Sequence, residues 1–196
     1  YGDYFAWGAT SVWYSAINKE TVPWSITPLD VKSGGYIQAN APYYNGSYTK
    51  YTTDGNTLEA ADDAANKILG GDWQIPTTEI WRELNDANTK TVNWEFYGNK
   101  VSETIVKGMK ITKKDDSNTY IFLPAAGQVG QGENKGTSFY YVNSEGYYWS
   151  GTAGAPDYTG AYRLNFSFIM QSVYPKGNFD RYYGYTVRPV RLVAVD

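Results

Sequence analysis

The 196-residue chain contains no cysteine and no histidine. Their absence removes the commonest metal ligands, the thiol nucleophile and the usual general base of neutral-pH catalysis. No apolar run reaches the roughly 18 residues that a membrane-spanning helix requires. With 17 basic and 20 acidic residues, the net charge of -3 offers no basic field to nucleic acid. We therefore predict no metal, no cofactor, no nucleic-acid partner and no direct membrane insertion.

Aromatic residues are abundant, with 20 Tyr and 7 Trp. Tyrosine supplies rigid, amphipathic contact area with little loss of conformational entropy, which is typical of binding surfaces. The alternative is a loop-rich fold in which tyrosines cover irregular backbone. Composition alone leaves both interpretations open.

Two helices are predicted. The first spans residues 57–69, with Thr57 as its cap and with apolar residues at helical spacing, namely Leu58, Ala61, Ala65, Ile68 and Leu69. The second begins after Pro76, is capped by Thr77 or Thr78, and buries a stripe of Ile80, Trp81 and Leu84.

The remaining patterns predict strands and loops. Residues 109–112 and 120–123 flank a polar turn and form a hairpin, and 127–138 form a flexible surface loop rather than a phosphate cradle. In 162–168 apolar and polar residues alternate, which places Leu164, Phe166 and Phe168 in the core and Arg163, Asn165 and Ser167 outside. A final strand over 185–193 bends or lies at an edge at Pro189.

Several blocks along nearly the whole chain occur in the order of a known family. These are Gly2-Asp3-Tyr4-Phe5-Ala6-Trp7-Gly8, Ala61-Asp62-Asp63-Ala64-Ala65, Gly70-Gly71-Asp72-Trp73-Gln74-Ile75-Pro76-Thr77, Ile121-Phe122-Leu123-Pro124-Ala125-Ala126-Gly127, Gly146-Tyr147-Tyr148-Trp149-Ser150 and Arg181-Tyr182-Tyr183-Gly184-Tyr185-Thr186-Val187-Arg188-Pro189-Val190-Arg191. In them the chain resembles the Fibrobacter-type major paralogous domain, whose members are exported surface proteins of gut-type bacteria.

The resemblance implies an α+β, C-type-lectin-like fold of the formylglycine-generating-enzyme variety, with two helices, small twisted antiparallel sheets and long loops. The chain is expected to be a single domain over 1–196, extracellular and on the bacterial cell surface. Members usually carry a strand-forming segment ahead of the first block, which here lies almost at the start, so we expect a piece of the first sheet to be missing or supplied by another segment. The formylglycine-generating enzyme works through cysteines, and its activity does not carry over to this chain.

The C-terminal part also resembles variable proteins of diversity-generating retroelements, some of which are adhesins at pilus tips. On this resemblance we expect a non-catalytic adhesin or receptor-binding module for a protein or glycan ligand. The expected ligand-binding residues, all predicted to face outward, are Tyr158, Arg163, Asn165, Ser167, Gln171, Tyr174, Lys176, Asn178, Tyr182, Tyr183 and Tyr185. Arg181 and Arg188 are expected to tie loop carbonyls together.

Two alternatives remain. In the first, the chain is a structural subunit of a surface or pilus assembly. In the second, it is a hydrolytic enzyme that acts through paired carboxylates. The candidate pairs are Asp62-Asp63 on the first predicted helix and Asp115-Asp116 in the hairpin turn. Adjacent helical residues diverge in direction, so we predict solubilising or helix-start charges instead of catalysis. Neither an EF-hand spacing nor a Glu-Pro-Asn motif is present, which argues against a calcium site.

Overall fold

The computed structural model describes residues 2–13, 30, 32–98, 105–130, 138–154, 159–169, 174–175 and 179–191. Within these ranges the chain forms short and long strands and two α-helices: β1 (Tyr4–Phe5), α1 (Ala64–Leu69), β2 (Trp73–Gln74), α2 (Thr78–Leu84), β3 (Lys90–Gly98), β4 (Ile105–Lys113), β5 (Asp116–Pro124), β6 (Gln128–Val129), β7 (Phe139–Tyr140), β8 (Glu145–Ala153), β9 (Gly160–Ser167), β10 (Tyr174–Pro175), β11 (Phe179–Asp180), β12 (Tyr185–Thr186) and β13 (Val190–Arg191).

Strand dominates this architecture. The structure is 42% strand and 11% helix, with several sheets and a half-barrel. The predicted α+β, C-type-lectin-like fold class is therefore wrong, because the chain is largely sheet. Both predicted helices are present, but α1 has only six residues and α2 only seven. A composition rich in Tyr, Trp and Thr favours strands over most of the chain.

Helix α1 begins seven residues later than predicted. Thr57 forms a bridge with Thr152, and the Leu58 amide donates to the Gly151 carbonyl at 2.8 Å, so this segment pairs with β8. The helix starts only where Asp63 caps it, accepting from the amides of Ala65 and Asn66. Tertiary pairing thus overrides the helical spacing of residues 57–62.

Helix α2 and the adjacent hairpin agree with the sequence patterns. Thr77 caps α2 through the Ile80 amide, and Trp81 is fully buried. Strands β4 and β5 pair antiparallel around the predicted turn, with Met109 opposite Leu123, and β5 ends at Pro124 as expected. Strand β3 pairs with β4 to complete a three-stranded sheet.

The largest sheet has the strand order β1-β12-β8-β9-β10, with β11 pairing β9 as well. Strand β12 runs parallel to β8, whereas β8 and β9 are antiparallel. The predicted final strand is divided, because β12 belongs to this sheet and β13 pairs with β2. Pro189, where a bend or an edge was predicted, lies in the interruption between β12 and β13.

One face of the β8–β9 pair packs on a helix-side core built from Trp81, Met109, Ile111, Leu123, Tyr148, Leu164 and Phe166. Leu164 and Phe166 are fully buried, as predicted. Phe168, which was also predicted to be buried, is 54% exposed. Strand β9 ends at Ser167, so the alternation does not continue to this residue.

The opposite face of the same pair packs on an N-terminal core that includes Trp7, Trp13, Tyr36, Tyr147, Trp149 and Tyr185. Strand β8 is therefore buried on both sides, and all but its first residue are buried. This second covered face was not anticipated, because alternation in one strand reveals two faces but not what covers each.

Arg181 joins the N-terminal segment to the C-terminal one. It is 1% exposed, and its guanidinium donates to the carbonyls of Gly160, Lys50 and Tyr51. The predicted role in tying loop carbonyls together is confirmed for this residue. Arg188, in contrast, is exposed.

The glycine-rich segment 127–138 also departs from the prediction where it is described. Gln128 and Val129 are 3% and 1% exposed and form β6, which pairs with β7. A surface loop is therefore wrong for residues 127–130, and residues 131–137 lie outside the described residues.

Candidate functional site

Side chains alternate between the two faces along β8 and along β9, and one face of this pair carries polar and aromatic residues. Glu145, Tyr147 and Trp149 of β8 lie opposite Ser167, Asn165 and Arg163 of β9. Directly opposed residues in an antiparallel pair project to the same side of the sheet. Arg163 therefore lies on the same face as Tyr147, beside the N-terminal core.

A pocket of about 290 Å³ opens at this face. We call it the Arg163 pocket, and its lining residues are Tyr141, Glu145, Tyr147, Arg163, Phe179, Asp180 and Tyr183. They come from β8, β9 and β11 and from the turns before β8 and after β11. Four of the seven side chains are aromatic and three are charged.

Arg163 is the most constrained polar group of the pocket. It is only 9% exposed, and its guanidinium carbon lies 3.2 Å from the ring centroid of Phe179 and 4.5 Å from that of Tyr147. Its Nη1 donates to the Tyr185 hydroxyl, whereas its Nε is buried without a hydrogen-bond partner among the described residues. Burial lowers the pKa of Arg163, but arginine stays protonated at neutral pH. A buried donor without a partner destabilises a protein by about 1–3 kcal/mol. An acceptor supplied to this Nε would therefore be stabilising.

Two carboxylates complete the polar lining. The Tyr147 hydroxyl donates to Glu145, and the Tyr182 hydroxyl donates to Asp180 at 2.9 Å. Burial first, and then these carboxylates, raise the pKa of both tyrosines well above the usual range. Both hydroxyls thus remain donors, and each carboxylate keeps further lone pairs for other donors.

Tyr141 stands at the mouth of the pocket in an unusual backbone conformation. Its φ is 63°, in the left-handed region, and its side chain is 45% exposed. The amides of Ser144 and Glu145 both donate to its carbonyl, which closes a tight turn. Behind the turn, a Cβ on Gly127 would lie 2.2 Å from the Tyr140 carbonyl oxygen, so only glycine fits there. Strained residues of this kind concentrate at functional sites, since packing holds them in place.

The structure gathers some of the predicted ligand-binding residues at this pocket. Arg163 and Tyr183 line it, and Tyr182 contacts its Asp180. Asn165 is half-buried beside them, and the backbone of Tyr174 pairs with that of Asn165. Four of the predicted residues lie outside the described residues, namely Tyr158, Gln171, Lys176 and Asn178.

The outward orientation predicted for three of these residues is wrong. Arg163, Ser167 and Tyr185 are 9%, 6% and 0% exposed. Tyr185 packs between rings of the N-terminal core, with its centroid 4.2 Å from that of Trp149. The face opposite Leu164 is itself covered, so a polar residue in the alternating pattern does not reach solvent.

Five lining residues were not anticipated from the sequence, namely Tyr141, Glu145, Tyr147, Phe179 and Asp180. Glu145 and Tyr147 have the two-residue spacing of one strand face, which was the available clue. Their meeting with Phe179 and Asp180 depends on the register of β11 against β9, with Phe179 opposite Ala161. No local pattern specifies that register.

A second hollow of about 320 Å³ lies beside α1. Asp63 lines it, but its carboxylate already accepts from the amides of Ala65, Asn66 and Ile75. The side-chain amide of Asn66 donates to the carbonyls of Gly71 and Trp73. These groups serve the local backbone, so they do not indicate a ligand.

Asp62 and Asp63, one of the two carboxylate pairs considered as catalytic groups for hydrolysis, have separate partners. Asp62 accepts from Lys50 at 2.6 Å, whereas Asp63 is the N-cap of α1. The prediction of a helix-start charge is confirmed for Asp63, while Asp62 belongs to an ion pair. Burial acts to raise the pKa of Asp62, but hydrogen bonds from Lys50, Tyr43 and Tyr51 hold it below its usual value.

Within the described residues, no group of three or more acidic side chains is placed to hold a metal ion, and no helix there is long and apolar enough to cross a membrane. Comparison with known proteins finds no matching family model, no matching curated protein and no matching solved structure. The Arg163 pocket is therefore the main guide to function.

Proposed function

We propose that this chain is a non-catalytic ligand-binding module of a bacterial surface protein, of the adhesin or receptor-binding kind, and that its ligand occupies the Arg163 pocket. One observation carries the proposal: a guanidinium buried among aromatic rings keeps its Nε without an acceptor in the described part of the chain. A ligand acceptor that reaches this atom would remove that unfavourable state.

The pocket walls support binding in preference to turnover. Arg163 is fixed by the Tyr185 hydroxyl and by ring faces, and Glu145 accepts from Tyr147. Rigid aromatic side chains around a few oriented polar groups are typical of ligand sites. Tyr182 and Tyr183 extend the aromatic surface beyond the pocket, with ring centroids 4.8 Å apart. That the C-terminal segment is variable, and that Tyr158, Gln171, Lys176 and Asn178 take part in binding, remains part of this proposal.

The test is a parallel screen of the purified protein against a glycan array and a displayed peptide library. Every binder is then retested on Tyr141→Asn, which removes the ring at the mouth while asparagine tolerates the left-handed backbone. Tyr120→Asn is the matched control, because Tyr120 is 51% exposed on β5 in a different sheet. Arg163→Met provides a second disruption inside the pocket.

We expect binders that Tyr141→Asn and Arg163→Met weaken by about tenfold or more and that Tyr120→Asn retains. The proposal fails if neither screen yields a binder, or if the binders are retained by Tyr141→Asn. Circular dichroism of each variant establishes that lost binding is not lost folding.

A further inference from the structure

We propose that the ligand of the Arg163 pocket is a neutral pyranose, presented as a single terminal ring of a glycan. The inference rests on the proposed function and adds the chemical class of the ligand. It follows from three properties of the pocket, which are its balance of charges, its exposed ring faces and its size.

The charged groups of the pocket include both a hydrogen-bond donor and hydrogen-bond acceptors. The buried Nε of Arg163 has no acceptor among the described residues, while Glu145 and Asp180 each accept from one tyrosine hydroxyl and keep lone pairs for further donors. An anionic ligand group would satisfy Arg163 but meet two carboxylates, and a cationic group would meet the guanidinium. Neighbouring hydroxyls on a neutral ring are donors and acceptors at once, so they satisfy all three groups without charge repulsion.

The aromatic lining favours a ring with an apolar face. One side of Phe179 and of Tyr147 is already covered by the Arg163 guanidinium. The ring of Tyr141 is 45% exposed at the mouth, and Tyr183 is half-buried in the wall. Tyr141 and Tyr183 are therefore the partly exposed rings on which the axial C–H groups of a pyranose would pack, as amphipathic aromatics do at mixed surfaces.

The size of the pocket suits a ligand of one ring. Its volume of about 290 Å³ is at the lower end of the roughly 300–1,000 Å³ typical of small-molecule sites. An internal sugar of a chain or a folded peptide epitope would extend beyond these walls. For a ligand of this size we expect a dissociation constant on the order of 1 mM, as small-ligand binding efficiency dictates.

Saturation-transfer NMR with three kinds of monosaccharide tests the inference directly. The probes are neutral methyl pyranosides of glucose, galactose and mannose, the anionic glucuronic acid and the cationic glucosamine, each at roughly ten times the expected constant. The proteins are the wild type, Tyr141→Asn, Glu145→Gln and the control Tyr120→Asn. Glu145→Gln keeps the shape of the side chain but removes its charge.

We expect at least one neutral pyranoside to bind wild type and Tyr120→Asn, and to bind about tenfold more weakly to Tyr141→Asn and Glu145→Gln. Glucuronic acid and glucosamine should bind more weakly than the neutral probes. The inference is overturned if a charged sugar binds as tightly as the neutral ones, if pyranoside binding survives in Tyr141→Asn, or if no pyranoside binds.

The outcomes separate this inference from the proposed function. If a library peptide binds the wild type and loses binding in Tyr141→Asn while no pyranoside binds, the pocket is a binding site for another ligand class, and only the pyranose inference fails. If neither peptide nor sugar binds, both fail.

Discussion

Replacing Arg181 by methionine should destabilise the protein strongly, because this buried guanidinium holds two distant segments of the chain together. It donates to the carbonyls of Gly160 at 3.1 Å, Lys50 at 3.0 Å and Tyr51 at 2.5 Å. It also lies 4.7 Å from the ring centroid of Trp7. Methionine fills much of the space of the arginine stem but leaves these three carbonyls without the donor.

The magnitude follows from opposing effects. Each unsatisfied buried carbonyl costs about 1–3 kcal/mol, and removing the buried cation recovers a desolvation penalty of several kcal/mol. We therefore expect Arg181→Met to lower the free energy of unfolding by about 3–5 kcal/mol, the range seen when one partner of a buried charged network is removed. The melting temperature should fall by on the order of 10 °C.

Urea unfolding followed by the fluorescence of the 7 tryptophans measures this loss. Arg188→Met is the matched control, since Arg188 is exposed and its replacement should change the free energy of unfolding by less than about 0.5 kcal/mol. A loss below about 1 kcal/mol for Arg181→Met, with an unchanged m-value, would refute the role assigned to this guanidinium.

Three further predictions concern stability. A Cβ on Gly146 would lie 2.1 Å from the Phe166 ring, so Gly146→Ala should lower the urea midpoint by the equivalent of about 1–3 kcal/mol, and an unchanged midpoint would contradict this packing. The Asp62 pKa is held below 3.8, so its stabilisation is present above pH 3.8 and lost as pH falls through the lowered value. Asp62→Asn should therefore melt below wild type at pH 7, with a gap that closes in acid; a gap independent of pH would exclude the Lys50 ion pair as its cause. Dialysis against a chelator should leave the melting temperature unchanged, and a fall that calcium reverses would reveal a metal site.

Local physics accounts for the elements that the sequence predicted well. Helix α2 combines a cap at Thr77 with a buried Trp81 at the right spacing, and both signals lie within a few residues. The β4–β5 hairpin joins two apolar runs through a short polar turn. Arg181 was assigned to carbonyl ties from the family resemblance together with the five donors of a guanidinium, and three of its contacts are of that kind.

The wrong predictions all depend on distant parts of the chain. Residues 57–62 have helical spacing, but their pairing near Thr152 keeps them extended. The pattern of β9 separates Leu164 from Arg163 but does not say that Trp149 and Tyr185 cover the second face. Sheet register and layer order arise from long-range packing, and the fold class depends on both.

The pocket was visible in the sequence only in part. Arg163, Tyr182 and Tyr183 were singled out for their chemistry, whereas Glu145 and Asp180 became neighbours only through the β8–β9 and β9–β11 registers. The Nε of Arg163 has no hydrogen-bond partner in the described part of the chain, and this consequence of its burial, which carries the functional proposal, cannot be read from composition.

The Nε–H resonance of Arg163 in an ¹⁵N-correlated spectrum tests the central claim most directly. The chain has only five arginines, and the absence of one Nε–H cross peak in Arg163→Lys assigns it. On titration with the neutral methyl pyranosides we predict that this cross peak moves downfield and exchanges more slowly with water, because the Nε–H gains an acceptor. The account is contradicted if the sugars shift other resonances but leave this cross peak in place. It is also contradicted if the sugars shift no resonance at all.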